Sequence, residues 1–258
     1  MRSNSKQLSA KHQALTSEHL CNVSEDDYAA FESKKELLLK ISEVENQAIS
    51  VYDMHQKRYL FYRTKFNMEL DNMLDKWLKE LSPSFFINLL HPNDTSFVHH
   101  AQVATFDFLE KQPLSEKKNY KMVLDLTLVH PNGYFYRVVM QSVVLELDKD
   151  GKIWLVMNII EMISKNSSYT QPQCQLIDTR TGKQVALPGF NAENSVALTN
   201  REKEILKLLA QGLESKDIAQ KLFISLNTVN NHRQNIINKT GTENMGQALL
   251  YAKRIGTI

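Results

Sequence analysis

Residues 198–253 read LTNREKEILKLLAQGLESKDIAQKLFISLNTVNNHRQNIINKTGTENMGQALLYAK. Four short amphipathic segments follow one another here, each opened by a capping residue, and no strand pattern lies between them. Thr199, with Glu202 three residues on, makes a capping box and starts a helix. Ile205, Leu206, Leu208 and Leu209 then line one face at helical spacing. Gly212 stops that helix, because glycine takes the left-handed conformation without a Cβ penalty. Ser215 reads as the cap of a second helix, with Asp217 in its positive first turn and Ile218, Ala219 and Leu222 as its buried stripe. Phe223-Ile224 is the turn. Ser225 caps a third helix patterned on Val229, His232, Ile236 and Thr240. Asn244 and Gln247 make a second capping box for a fourth helix, with Ala248, Leu249 and Ala252 facing inward.

Two helices joined by a tight turn, the second ringed with polar side chains, describe a helix-turn-helix. On the third helix Val229 and Ile236 face inward, while Asn227, Asn230, Asn231, Gln234, Asn235 and Asn238 face outward. A solvated polar face is the plain alternative, but Lys or Glu would serve it better, since Asn is a weak helix former. Amide side chains do have a partner in the major groove, where they pair bidentately with adenine. Asn230, Asn231 and Gln234 are therefore the expected base-contacting residues. Lys216, Lys221, Ser225, Asn227, Thr228, Arg233 and Lys239 surround that face, where phosphates would lie.

This stretch resembles the LuxR/FixJ-type helix-turn-helix of bacterial transcription regulators. The resemblance rests on Leu198-Thr199, Arg201-Glu202, Glu204-Ile205-Leu206, Gly212, Ile218-Ala219, Leu222, Ile224-Ser225, Thr228-Val229, His232, Ile236, Lys239 and Ala248, about a quarter of the chain. It implies that the third helix enters the major groove and that the fourth helps to dimerise the domain. Departures accompany it. The family commonly has Lys where Asn230 stands, Leu where Thr240 stands and Arg where Met245 stands. Asn in place of Lys points to an adenine-leaning site.

The chain has 258 residues, a length that allows two domains. Hydrophobic residues make up 42% and charged residues 23%, as in ordinary globular proteins. The net charge of +2 is unevenly spread: residues 196–258 carry nine Lys/Arg against five Asp/Glu, so the remainder is net acidic. The basic part is the part with the DNA-binding pattern. Cys21 and Cys174 lack metal-ligand or redox spacing, so neither a zinc site nor a disulfide framework is expected. The N-terminus has no apolar core of a signal peptide, and no apolar run approaches the ~20 residues of a membrane span. A cytoplasmic protein is expected.

In chain order, residues 1–22 read as disordered. A helix follows over 23–47, built on Tyr28, Phe31, Leu38, Ile41 and Val44, to pack on the next domain or to pair with its twin. Residues 48–165 read as mixed α and β. AISVYD (48–53) and RYLFYRTKF (58–66) are strand-like. Residues 67–81, the segment around FFINLL and residues 95–111 are helical by period. Three long strands then alternate, separated by turn signals at Pro131-Asn132-Gly133 and Asp148-Lys149-Asp150-Gly151. Met122, Leu124, Leu126 and Leu128 mark the inward face of the first of these. The order of two strands, a helical middle and three antiparallel strands, with His91-Pro92-Asn93-Asp94 closing the middle, resembles the PAS sensor family. It implies a five-stranded sheet curved around a pocket that holds a small ligand or is filled by side chains. Residues 166–195 are a linker with a hairpin, QLID against KQVAL, that adds to this sheet or to a partner's. The expected fold is thus α+β, a PAS-like antiparallel sheet with helices followed by an all-α helix-turn-helix domain at 196–258.

No cofactor is expected. Haem needs an axial ligand, and His91, His99, His100 and His130 are formal candidates only, His91 being better explained by its turn. A flavin photoadduct needs a cysteine in the helical middle, which has none. Trp77, Phe85, Phe86, Phe97, Phe106 and Phe108 line a pocket or, more commonly, plain core. No phosphate loop, HExxH or GxSxG is present, so no catalytic activity is expected. The reading is a dimeric, sequence-specific transcription regulator with duplex DNA as partner, and RNA polymerase admitted as another. Its rivals are a sigma-factor-like initiation protein, which needs a helical front half, an enzyme whose front half turns over a small molecule, against which the lack of a catalytic motif counts, and a regulator whose PAS-like half only dimerises.

Overall fold

The computed structural model describes residues 18–44, 47–63, 88–129, 133–165, 171–190 and 198–258. The helical expectation at 67–81 lies outside these residues, as do Trp77, Phe85, Phe86 and His130; of FFINLL (85–90) only 88–90 are described, where 88 and 89 are helical and Leu90 bridges to Leu128. Helix α1 spans Glu25–Val44, and strands β1 (Ala48–Asp53) and β2 (Arg58–Arg63) follow. Helix α2 is Thr95–Glu110. Strands β3 (Tyr120–Val129), β4 (Phe135–Leu147) and β5 (Ile153–Lys165) form two successive hairpins, and β6 (Gln173–Asp178) and β7 (Gln184–Val185) a third. Four helices close the chain: α3 (Asn200–Ala210), α4 (Ser215–Lys221), α5 (Leu226–Thr240) and α6 (Met245–Arg254).

All seven strands belong to one antiparallel sheet in the order β2-β1-β5-β4-β3-β6-β7. The first five are the PAS-like unit, in which β1 inserts beside β5 and the last three strands meander. The sheet is wider than the expected five strands because the 173–185 hairpin joins its own sheet, against β3, rather than a partner's. Phe190, just beyond that hairpin, packs edge-on against Phe97 of α2 and lies 4.7 Å from the His100 ring. Gly189 has φ +84°, and a Cβ there would lie 2.4 Å from the His100 ring, so glycine alone suits this turn.

Alternation sets the two faces. Met122, Leu124, Leu126 and Leu128 point inward with Met140 and Val138, and α2 covers them with Val98, Ala101 and Leu109. The outer face is divided. Ile49, Val51, Phe61, Trp154 and Leu155 pack under α1, which contributes Phe31, Tyr28 and Leu38. The Tyr28 hydroxyl donates to Asp53 Oδ2 at 2.7 Å. Of the two roles open to this helix, packing on its own sheet is therefore realised, although Leu37 and Ile41 remain exposed. Val123, Val139, Ile163 and Ile177 form the rest of the outer face, in one cluster with the core of α3–α6.

Residues 18–22, which the sequence pattern places in a disordered N-terminus, instead lie across the sheet. His19 Nε2 is 2.8 Å from the Ile153 carbonyl, Cys21 N–H donates to His55 Nδ1 at 3.1 Å, and Asn22 N–H donates to Asp148 Oδ2 at 2.6 Å. Burial pushes the Cys21 thiol up to about 11 and that of Cys174 to about 12, so both stay protonated and behave as small apolar side chains. Among the described residues no helix is long and apolar enough to cross a membrane.

Candidate nucleic-acid interface

Helix α3 begins as the sequence implies. Thr199 N–H donates to Glu202 Oε2 at 2.7 Å, and Glu202 N–H donates to the Thr199 hydroxyl at 3.2 Å. Ile205, Leu206 and Leu208 are buried, and Gly212 takes φ +86° after the last turn. The second helix corrects one assignment. Its cap is Glu214, boxed with Asp217, and Ser215 is already helical. The Ser215 hydroxyl instead accepts from Arg233 Nη1 and so ties the start of α4 to the middle of α5. Ile218 and Ala219 are buried, and Ile224 N–H returns to the Ala219 carbonyl at 3.0 Å to close the turn.

In that turn Phe223 is 95% exposed at φ +55°, a conformation that costs most L residues free energy. Ser225 then caps α5, its Oγ accepting from Thr228 N–H at 3.0 Å. Val229, Ile236 and Thr240 face the core. Asn244 caps α6, accepting from Gln247 N–H at 2.9 Å, but the Gln247 amide oxygen accepts from Glu243 N–H rather than closing a box on Asn244. Ala248, Tyr251 and Ala252 are buried.

Packing of Val229 and Ile236 leaves Asn227, Asn230, Asn231, Gln234, Asn235 and Asn238 exposed on α5. The three expected base-contacting residues are neighbours there, since Asn230 and Gln234 are one turn apart and Asn231 lies three residues before Gln234. Gln234 Nε2 donates to Asn238 Oδ1 at 3.1 Å, which orients the amide but leaves its carbonyl available. Lys216 and Lys221 are exposed on α4, and Ser225 and Asn227 are exposed at the start of α5 with Thr228 half-buried. Arg233 is half-buried and Lys239 is exposed, and each already has a partner. Arg233 spends part of its fork on Ser215, and Lys239 Nζ lies 2.8 Å from Glu202 Oε2. Burial disfavours the Glu202 charge, but Lys239 and the Thr199 groups outweigh it and hold the carboxyl below its ordinary range.

Residues 196–252 match the profile of the bacterial regulatory proteins of the luxR family. The spore germination protein GerE of Bacillus subtilis (strain 168) is 43% identical over 61 residues, 24% of this chain and 82% of GerE. The chain belongs to the luxR family. The CsgBAC operon transcriptional regulatory protein of Escherichia coli (strain K12) is 33% identical over 124 residues, and this luxR-family chain spans 50% of that regulator's length. Among solved structures, the phage VqmA–DPO complex covers 88% of the chain and 89% of its own at 18% identity and a TM-score of 0.35, from which no functional conclusion follows.

Sequence reasoning missed Asp125, Arg137 and Glu161. All three point from the sheet toward the luxR-type helices. Alternation along a strand does not distinguish a polar residue facing solvent from one facing a second packed layer. The one signal was Arg137 inside the apolar run FYRVVM.

Proposed function

We propose that the chain is a sequence-specific DNA-binding transcription regulator that acts as a homodimer. Its DNA-binding unit is residues 196–258, its PAS-like sensor unit residues 48–165, and 166–195 the connection. The observation that carries this reading is the exposed amide face of α5, held on a packed helix-turn-helix. Asn230, Asn231 and Gln234 reach base edges. Lys216, Lys221, Ser225, Asn227 and Thr228 contact phosphates, and Arg233 and Lys239 add their remaining donors at the groove edge. One recognition helix reads only a few base pairs, so two units on half-sites about one turn apart multiply specificity. The test is a salt titration of the full chain on duplex DNA. Log affinity falls linearly with log salt, with a slope of roughly −0.9 per phosphate neutralised. A flat dependence would remove the phosphate assignments.

The sensor unit receives a signal or mediates association. One observation supports a small ligand with hydrogen-bonding groups. Across the otherwise apolar inner face, Ser142 donates to Asn158 Oδ1 at 2.7 Å and Asn158 Nδ2 donates to Ser50 Oγ at 3.3 Å. One position further along β1, on the same face, the buried Tyr52 hydroxyl has no hydrogen-bond partner among the described residues. A buried hydroxyl in that condition costs free energy that a bound acceptor or donor would recover.

A further inference from the structure

We propose that Phe223 and Leu226 form an apolar end to the exposed amide face of α5, and that this end takes the 5-methyl groups of thymines in the major groove. The statement rests on the reading of α5 as the helix that contacts bases.

Among the described residues of 198–258, three large apolar side chains are exposed. One is Leu250 of α6. The others, Phe223 at 95% and Leu226 at 40% exposure, stand three residues apart where α5 begins. A single exposed apolar side chain needs no explanation. Two facts set this pair apart. Leu226 is the first residue of α5, and Asn230 and Gln234 follow it at intervals of four, so the three share one row along the helix. The row thus begins apolar and continues as amides. Phe223 holds φ +55°, which costs free energy in a bulky residue and here gains almost no burial.

The turn is held in that shape from both sides. Phe223 N–H donates to the Gln220 carbonyl at 3.2 Å, Ile224 N–H to the Ala219 carbonyl at 3.0 Å, and Arg201 Nη2 to the Leu222 carbonyl at 2.9 Å. The Ser225 cap then fixes the first turn of α5, its hydroxyl also lying 2.8 Å from that of Thr228. Both apolar side chains are therefore presented to solvent on a rigid support.

Charge names the occupant. Lys216 and Lys221 are exposed on α4 just before the turn, and residues 196–258 carry nine Lys/Arg against five Asp/Glu. A basic surround suits a polyanion. Duplex DNA is a polyanion that also offers apolar groups, since every thymine shows a methyl in the major groove. The face is then consistent from end to end. Amides pair with adenine and an apolar side chain meets the thymine methyl, and both belong to A·T pairs. Between Leu226 and Asn238 no exposed residue of α5 is Lys or Arg, so guanine lacks its commonest partner there.

Uracil differs from thymine only in lacking the methyl and pairs in the same way. A phosphate contact or a hydrogen bond does not register that exchange, whereas an apolar contact does. The test measures binding of the full chain to the duplex it selects, with each thymine replaced in turn by uracil. Burial of one methyl corresponds to roughly a fourfold change in affinity. Wild type is expected to lose about that factor at one or two thymines of the half-site and nothing elsewhere. Leu226→Ala and Phe223→Gly are each expected to bind the thymine duplex more weakly and to lose the response to uracil at one of those positions, with circular dichroism showing that both chains remain folded. Equal binding of every uracil duplex by wild type, with its sequence preference intact, overturns the methyl contact and leaves the reading of α5 in place. A uracil response that persists in both variants also overturns the contact, and a fall in transcription from the same site would then assign the pair to a protein partner. Equal binding of unrelated duplexes by wild type overturns the reading of α5 and the methyl contact together.

Discussion

The guanidinium of Arg137 donates to the backbone carbonyl of Thr240, 103 residues further along the chain, and so joins β4 of the sheet to the last residue of α5. Burial works against the Arg137 charge, but the hydrogen bonds and charge of Asp125 carry it above the ordinary guanidinium value. The sheet thus holds a permanent cation against the C-terminal end of α5.

Removing one member of that pair leaves the other charged and poorly solvated. Arg137→Ala is expected to cost about 3–5 kcal/mol, and Asp125→Ala a similar amount, whereas replacing both with apolar residues of similar volume costs much less. Urea denaturation of the two single variants and the double variant measures this. Single variants indistinguishable from wild type would show that the pair is not desolvated in solution.

Phe223 gives a prediction of opposite sign. It buries almost nothing and sits at positive φ. Phe223→Gly relieves about 1–2 kcal/mol of left-handed strain and loses roughly 0.5–1 kcal/mol to the freer unfolded chain. The melting temperature is expected to rise slightly. A clear fall would mean that the ring is packed against something in solution.

The residues proposed to face DNA separate by role. Asn231→Ala is expected to relax base preference at one position of each half-site, a loss of about 1–3 kcal/mol of discrimination. Lys216→Ala or Lys221→Ala is expected to weaken binding to all sequences alike and to make the salt slope shallower by about 1. Binding curves on a panel of single-base variants distinguish the two patterns. An Asn231→Ala chain with unchanged preference would move the reading face elsewhere.

Glu202 links the helix-turn-helix to pH. Because its carboxyl is held below the ordinary value, its ion pair with Lys239 and its cap on Thr199 contribute fully above the unfolded pKa of roughly 4.3. That contribution is lost as pH falls through the lower folded value. Glu202→Gln is therefore expected to lower stability at neutral pH and to flatten its decline below about pH 4.3. Thermal melts of both chains from neutral to strongly acidic pH check this. Parallel curves would show that Glu202 is not the group responsible.

The DNA-binding half was largely legible in the sequence because its signals are local. Thr199, Ser225 and Asn244 cap the helices they were expected to cap, and Val229 and Ile236 are buried by simple periodicity. Ser215 was misassigned because the helix starts one residue earlier, with Glu214 as its cap and Asp217 Oδ2 accepting from the Glu214 N–H at 3.4 Å. In the sheet, alternation placed Met122, Leu124, Leu126 and Leu128 correctly. It says nothing about a second layer, and so gives no sign that the C-terminal helices cover Val123 and Asp125 on the other face. Long-range contacts such as Arg137 with Thr240 leave no periodic trace. Nor could the sequence tell whether the 173–185 hairpin joins its own sheet or another chain's, since the edge of β3 offers the same hydrogen bonds to either.

Selection of duplex DNA from a randomised pool by the full chain at low salt tests most directly whether α5 reads base sequence as one of a pair. The expected product is an adenine-containing half-site that occurs twice, with centres about one helical turn apart. Recovery of no motif, with binding to all sequences alike, would contradict it.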